Sequence, residues 1–184
     1  KQSLDSTASA IAEINTRMGL QGDVLSDVTG KFLDYSNVTN TNVVNSVANV
    51  TKIMNKWNEE QENVESVMDK LVYASQISGA SVDSLSSSLI NGAGAFQQVD
   101  LSLDNTISLL AAFELYGLNS STAIMAMRNA VRHFSDDGED AGEGLRRVID
   151  EIANMESAAE ATSLACEVFG SRAGVEMTQD TSLM

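Results

Sequence analysis

The sequence predicts an all-α fold, a compact stack of roughly nine short helices in antiparallel hairpins with no sheet. Three observations predict it. None of the 184 residues is proline, where average usage of about 5% would supply several. A chain that keeps its backbone N–H donors suits continuous helix better than loop-rich β structure. Apolar residues recur at steps of three and four along nearly the whole chain, which gathers them on one helix face, whereas a strand would alternate by two. Glycine and Ser, Asn or Asp fall where one stripe ends and the next begins, as at helix stops and caps.

Taken in order, Ala8, Ile11, Ile14 and Met18 form the first stripe, closed by Gly19 and Gly22. Asp23 is placed to cap a second helix carrying Leu25, Val28, Phe32 and Tyr35. The polar run 37–42 reads as a turn. Val43, Val47, Val50, Met54 and Trp57 follow; valine favours strands by propensity, but steps of four and three decide for helix. The next stripe is Val64, Val67 or Met68, Leu71 and Ala74, ending near Gly79. Ser81 is set to cap Val82, Leu85, Leu89, Ala93 and Phe96. Gly92 and Gly94 inside that stretch each weaken a helix by about 1 kcal/mol relative to alanine, which predicts a kink or an early end.

Ser102 precedes Leu103, Ile107, Leu109, Leu110, Phe113 and Tyr116, stopped by Gly117. This segment is apolar almost all round, which predicts a buried central helix. Residues 107–118 are interrupted by Ser108 and Glu114 and fall short of the roughly 18 apolar residues a membrane span needs, so no span is expected in this segment. Asn119 or Ser120 then caps Ile124, Met127, Val131 and Phe134. The acidic, glycine-containing run 136–144 reads as a flexible loop. Leu145, Val148, Ile152 and Met155 make another stripe, and Ala161, Leu164 and Val168 the last long one before Gly170. Short turns between such helices make neighbours antiparallel. Residues 1–184 read as a single helical domain with a candidate sub-division near 58–62 and no strict repeat period. Without a basic-then-apolar leader after Lys1, the chain reads as a fragment of a longer polypeptide.

The net charge is -15 with a pI near 4.2, and residues 71–127 hold no Lys or Arg. Displacing phosphate counterions needs cations, so direct nucleic-acid binding by this segment is not expected. The acidic surface reads as a solubility device. His133, the only histidine, stands at a helix end where Asp136 or Asp137 can pair with it; a metal or catalytic role would need partners that no His or Cys spacing supplies. Cys166, between Leu164 and Val168, reads as a small buried hydrophobe.

The carboxylate groups Glu59, Glu60, Glu62 and Asp136, Asp137, Glu139, Asp140 raise calcium. The second lacks the alternating Asp pattern and a Glu six residues after Gly138. Glu114 is the one candidate for a raised-pKa glycosidase acid in an apolar setting, and pairing with Arg128 or surface placement is the plainer reading. Gly92-Ala93-Gly94 is not followed by the Lys-Ser/Thr of a phosphate loop. No catalytic, cofactor-binding or metal residue is assigned. A structural motif is: Phe169, Gly170, Arg172 and Gly174 read as helix, left-handed stop, Ser171 cap and a new helical turn. Arg172 there is expected to fork onto carbonyls of a helix end, with a partner contact as the alternative.

Four stretches in order carry a resemblance. Residues 101–135, LSLDNTISLLAAFELYGLNSSTAIMAMRNAVRHFS, resemble the core region of phage tail tape measure proteins, with a leucine-rich helix, a glycine, a serine-rich cap and an A…R-N-A helix. ASQISGASVDSLSSSL at 74–89, EVFGSRAG at 167–174 and IAEINTRMGLQGDVLSDVTGKFLDYS at 11–36 resemble the segments that accompany it. The resemblance implies a structural virion component of a phage or prophage, without enzymatic activity, made in the bacterial host cytoplasm and residing in the tail. It implies roles in tail length determination, tail tube assembly and genome delivery. The implied partners are the tail tube protein, tail assembly chaperones and tail tip or baseplate proteins, with homo-oligomers in the tail and no cofactor. A helical protein-interaction adaptor is the alternative that the helix pattern alone allows.

Overall fold

The periodicity resolves into ten α-helices in the computed structural model, which describes residues 4–115, 117 and 119–179. They are α1 (Leu4–Met18), α2 (Gly22–Thr39), α3 (Val43–Trp57), α4 (Val64–Ser78), α5 (Val82–Gln98), α6 (Leu103–Leu115), α7 (Ser120–Asp136), α8 (Ala141–Asn154), α9 (Ala158–Phe169) and α10 (Ser171–Gln179). A short 3-10 turn, Gln61–Asn63, leads into α4, and no strand occurs among the described residues. The tenth helix stands where the sequence suggested a single new turn after Gly170. Tyr116 and Leu118, placed in the central segment by the sequence, lie outside the described residues.

Contacts gather the chain into two units, Lys1–Ile90 and Asn91–Met184, with the division inside α5. Segment 58–62 lies inside the first unit. There α1 packs on α2 and α3, α2 on α3 and α4, and α3 on α4. Ile14, Phe32, Val43, Val47, Val50, Ile53 and Leu71 are fully buried. Each such side chain taken from water contributes about 1.5–3 kcal/mol. Val67 and Met68 are both buried, because adjacent positions can flank the centre of an inward helix face. In α1 the reading is corrected: Ala10 is buried while Ile11 and Ala8 face outward, since a small residue suits the close neighbours of α1.

Local chemistry sets the ends. Asn42 accepts from the N–H groups of Val44 (3.0 Å) and Asn45 (3.2 Å), capping α3. Asn40 and Asn58 take the left-handed conformation that ends α2 and α3, a conformation asparagine tolerates better than most residues. The polar run 37–42 is therefore the last turn of α2 followed by a three-residue link. Asp23 lies inside the first turn of α2 and does not cap it; Gln21 holds the cap position without a side-chain bond. Ser81 and Ser102 do cap α5 and α6, accepting from Ser84 at 3.1 Å and Asn105 at 3.2 Å. The Trp57 indole N–H donates to the Leu89 carbonyl at 3.2 Å. Lys31 of α2 reaches Glu65 of α4 at 2.7 Å and Asp27 at 3.0 Å, and these bonds, Glu65 first, raise its pKa above the ordinary lysine value.

In the second unit α7 is the hub, packed against α6, α8, α9 and α10. The sequence had assigned the centre to α6. Ala123, Ala126 and Ala130 are buried on α7, and such small side chains let several helix backbones approach it. α6 instead keeps an exposed side with Asn105 and Ser108, and Leu115 is 58% exposed. α5 runs unbroken through Gly92 and Gly94, against the expected kink or early end. A Cβ at Gly92 would lie 2.5 Å from the Phe96 ring and 3.0 Å from Ile124, so that glycine makes room for packing.

The acidic run 136–144, expected as a flexible loop, is mostly helix. Only residues 137–140 separate α7 from α8. The acidic side chains hold this connection: Asp140 accepts from the N–H groups of Gly142 and Glu143, both at 3.0 Å, capping α8.

Candidate functional site

The four motif residues meet at the α9–α10 corner. Phe169 is buried at the end of α9. Gly170 has φ 88 and ψ 152, which a side chain would strain, and its N–H donates to the Cys166 carbonyl at 3.0 Å. Its carbonyl accepts from Gly174 at 2.9 Å, so one residue ends α9 and begins α10. Ser171 is the first helical residue rather than the cap. Arg172 is exposed and donates to Glu176 at 3.0 Å within its own helix. The carbonyl at the helix end is met by a different residue. Asn129 of α7 donates its side-chain amide to the Phe169 oxygen at 3.0 Å.

Gly174 fixes the distance between α9 and α10. A Cβ built there would lie 2.5 Å from the Cys166 Cα and 2.6 Å from the Ala165 carbonyl carbon. The hairpin is further tied by the Thr162 and Thr178 hydroxyls at 2.9 Å. Cys166 is half-buried rather than fully enclosed, because its face of α9 turns toward the corner, where its thiol lies 3.6 Å from the Ser171 oxygen.

His133 and Glu114, singled out by the sequence, have local, structural partners. His133 stands 3.6 Å from Asp137, one of the two aspartates that the sequence offered. Glu114 accepts from both the backbone N–H of Ser120 at 2.8 Å and its hydroxyl at 2.5 Å, tying α6 to the start of α7. Arg128 donates to the Asn91 carbonyl at 2.9 Å and not to Glu114. No group of three or more His, Cys, Asp or Glu poised for a metal occurs among the described residues. No helix of the described residues is long and apolar enough to cross a membrane.

Glu139 and Arg147 form a two-bond ion pair, at 2.7 and 3.0 Å. The guanidinium holds the Glu139 carboxyl below the ordinary glutamate range. A group with a lowered folded pKa supports the fold above its unfolded pKa, and that support is lost as pH falls through the folded value. Carboxyl NMR titration is expected to place the Glu139 midpoint below that of a free glutamate, and Arg147→Gln is expected to return it upward. An unchanged midpoint in that variant would show that the pair does not form in solution.

One concave feature of the second unit is an apolar cavity of about 280 Å³. Leu109, Ala112 and Phe113 of α6, Ile149 and Ile152 of α8, Phe169 of α9 and Met177 of α10 are among its walls. Among the described residues, Thr178 supplies the only side-chain hydroxyl in the lining, and no titratable group lines it. Ile149 is 46% exposed at this cavity. The sequence reading missed Asn129 and Ile149. Asn129 lies 40 residues from its acceptor, and Ile149 follows Val148, which took the core position in the stripe.

A family model described as phage-related minor tail protein matches residues 1–182. No curated protein and no solved structure matches the chain. The match spans both units and the α9–α10 corner together: the chain belongs to the phage-related minor tail protein family.

Proposed function

We propose that this chain is a segment of a phage tail tape measure protein, a non-enzymatic structural element that sets tail length while the tail tube assembles around it and that takes part in genome delivery. The observation that carries this reading is the phage minor tail family match over residues 1–182. The ordered resemblance of residues 11–36, 74–89, 101–135 and 167–174 to tape measure cores supports the finer assignment. The tail tube protein, tail assembly chaperones and tail tip or baseplate proteins are its partners in this reading, and further copies of the same chain lie beside it in the tail.

Length makes the reading testable. Laid out as continuous helix at 1.5 Å per residue, the segment would cover about 280 Å; a folded domain of this length spans roughly 40 Å. An in-frame duplication of the region encoding residues 1–184 is expected to lengthen tails by an amount between these limits, measured by electron microscopy. The upper limit would mean that the helices are drawn out inside the tube. Intact tails of unchanged length would overturn the tape role.

A helical adaptor is the second reading, favoured by the apolar cavity with Ile149 at its edge, since partner helices dock by apolar side chains. Under that reading the duplication would alter assembly yield and leave length unchanged. In both readings the chain is expected to be inert toward peptidoglycan. Cleavage that disappears in Glu114→Gln would overturn them in favour of a lytic domain.

A further inference from the structure

We draw no further inference here: the strongest candidate, the apolar cavity of the second unit walled by α6, α8, α9 and α10, carries none because nothing in the structure shows what covers it.

Discussion

Phe134→Ala is expected to lower folding stability by about 3–5 kcal/mol, the range for truncating a fully buried phenylalanine. The ring is completely enclosed near the end of α7. It lies against Gly144 of α8, where a Cβ would come within 2.5 Å of a ring carbon. The surface facing the ring at Gly144 is backbone, which cannot swing in to fill the space, so the cavity term adds to the transfer term. Domains commonly hold only about 5–15 kcal/mol in total. At about 2–4 °C per kcal/mol for a chain of this size, the melting temperature should fall by roughly 6–20 °C. Thermal and urea unfolding followed by far-UV circular dichroism measures it. A loss below about 1 kcal/mol would show that the α7–α8 contact is not packed as described.

Gly174→Ala and Gly94→Ala are expected to move stability in opposite directions. Both glycines are helical and neither has a positive φ, so alanine gains up to about 1 kcal/mol of helix propensity at each. Space decides the sign. Gly94 has no heavy atom within 4 Å of the added Cβ, so its variant should be more stable by up to the full propensity gain. At Gly174 the added carbon meets backbone of Ala165 and Cys166, which cannot rotate aside. Overpacking of this kind costs about 1–3 kcal/mol, occasionally more, and rigid backbone on the opposing side puts this site at the upper end. The net expectation is a loss of about 2 kcal/mol after the propensity gain. Equal shifts in the two variants would contradict the close approach of α9 and α10.

The helices were legible because their causes are local. Hydrogen bonds four residues apart, apolar steps of three and four and caps such as Ser81, Asn119 and Ser102 all lie within one or two turns. The stripe Val43, Val47, Val50, Met54 and Trp57 is buried throughout, despite its strand-favouring valines. Some cap positions, such as Asp23 and Ser171, were misplaced by a residue or two, and other failures depended on neighbours distant in sequence. Ile11 fits the α1 period as well as Ala10, and only the helices beside α1 choose between them. The glycines at 92 and 94 look alike in sequence, yet one sits against Phe96 and Ile124 and the other in open space.

The candidate site divides in the same way. The Phe169–Gly170 stop is readable because a left-handed glycine ending a helix is a local event. The partner of its carbonyl is not. Arg172 was adjacent and cationic, but Asn129 on α7 is the residue that the packing of α7 against α9 brings into reach. Leu109 and Ala112 carry every sequence mark of core residues and still wall an open cavity. Sequence alone determined that this chain is helical, where caps such as Ser81, Ser102 and Asn119 and the Gly170 stop fall, and its resemblance to phage tail proteins. Tertiary structure decided that α7 rather than α6 is the hub and which apolar side chains are left without a cover. Burial is a property of the surfaces that meet, and hydrophobic residues are alike in sequence until packing assigns some of them a neighbour and others none.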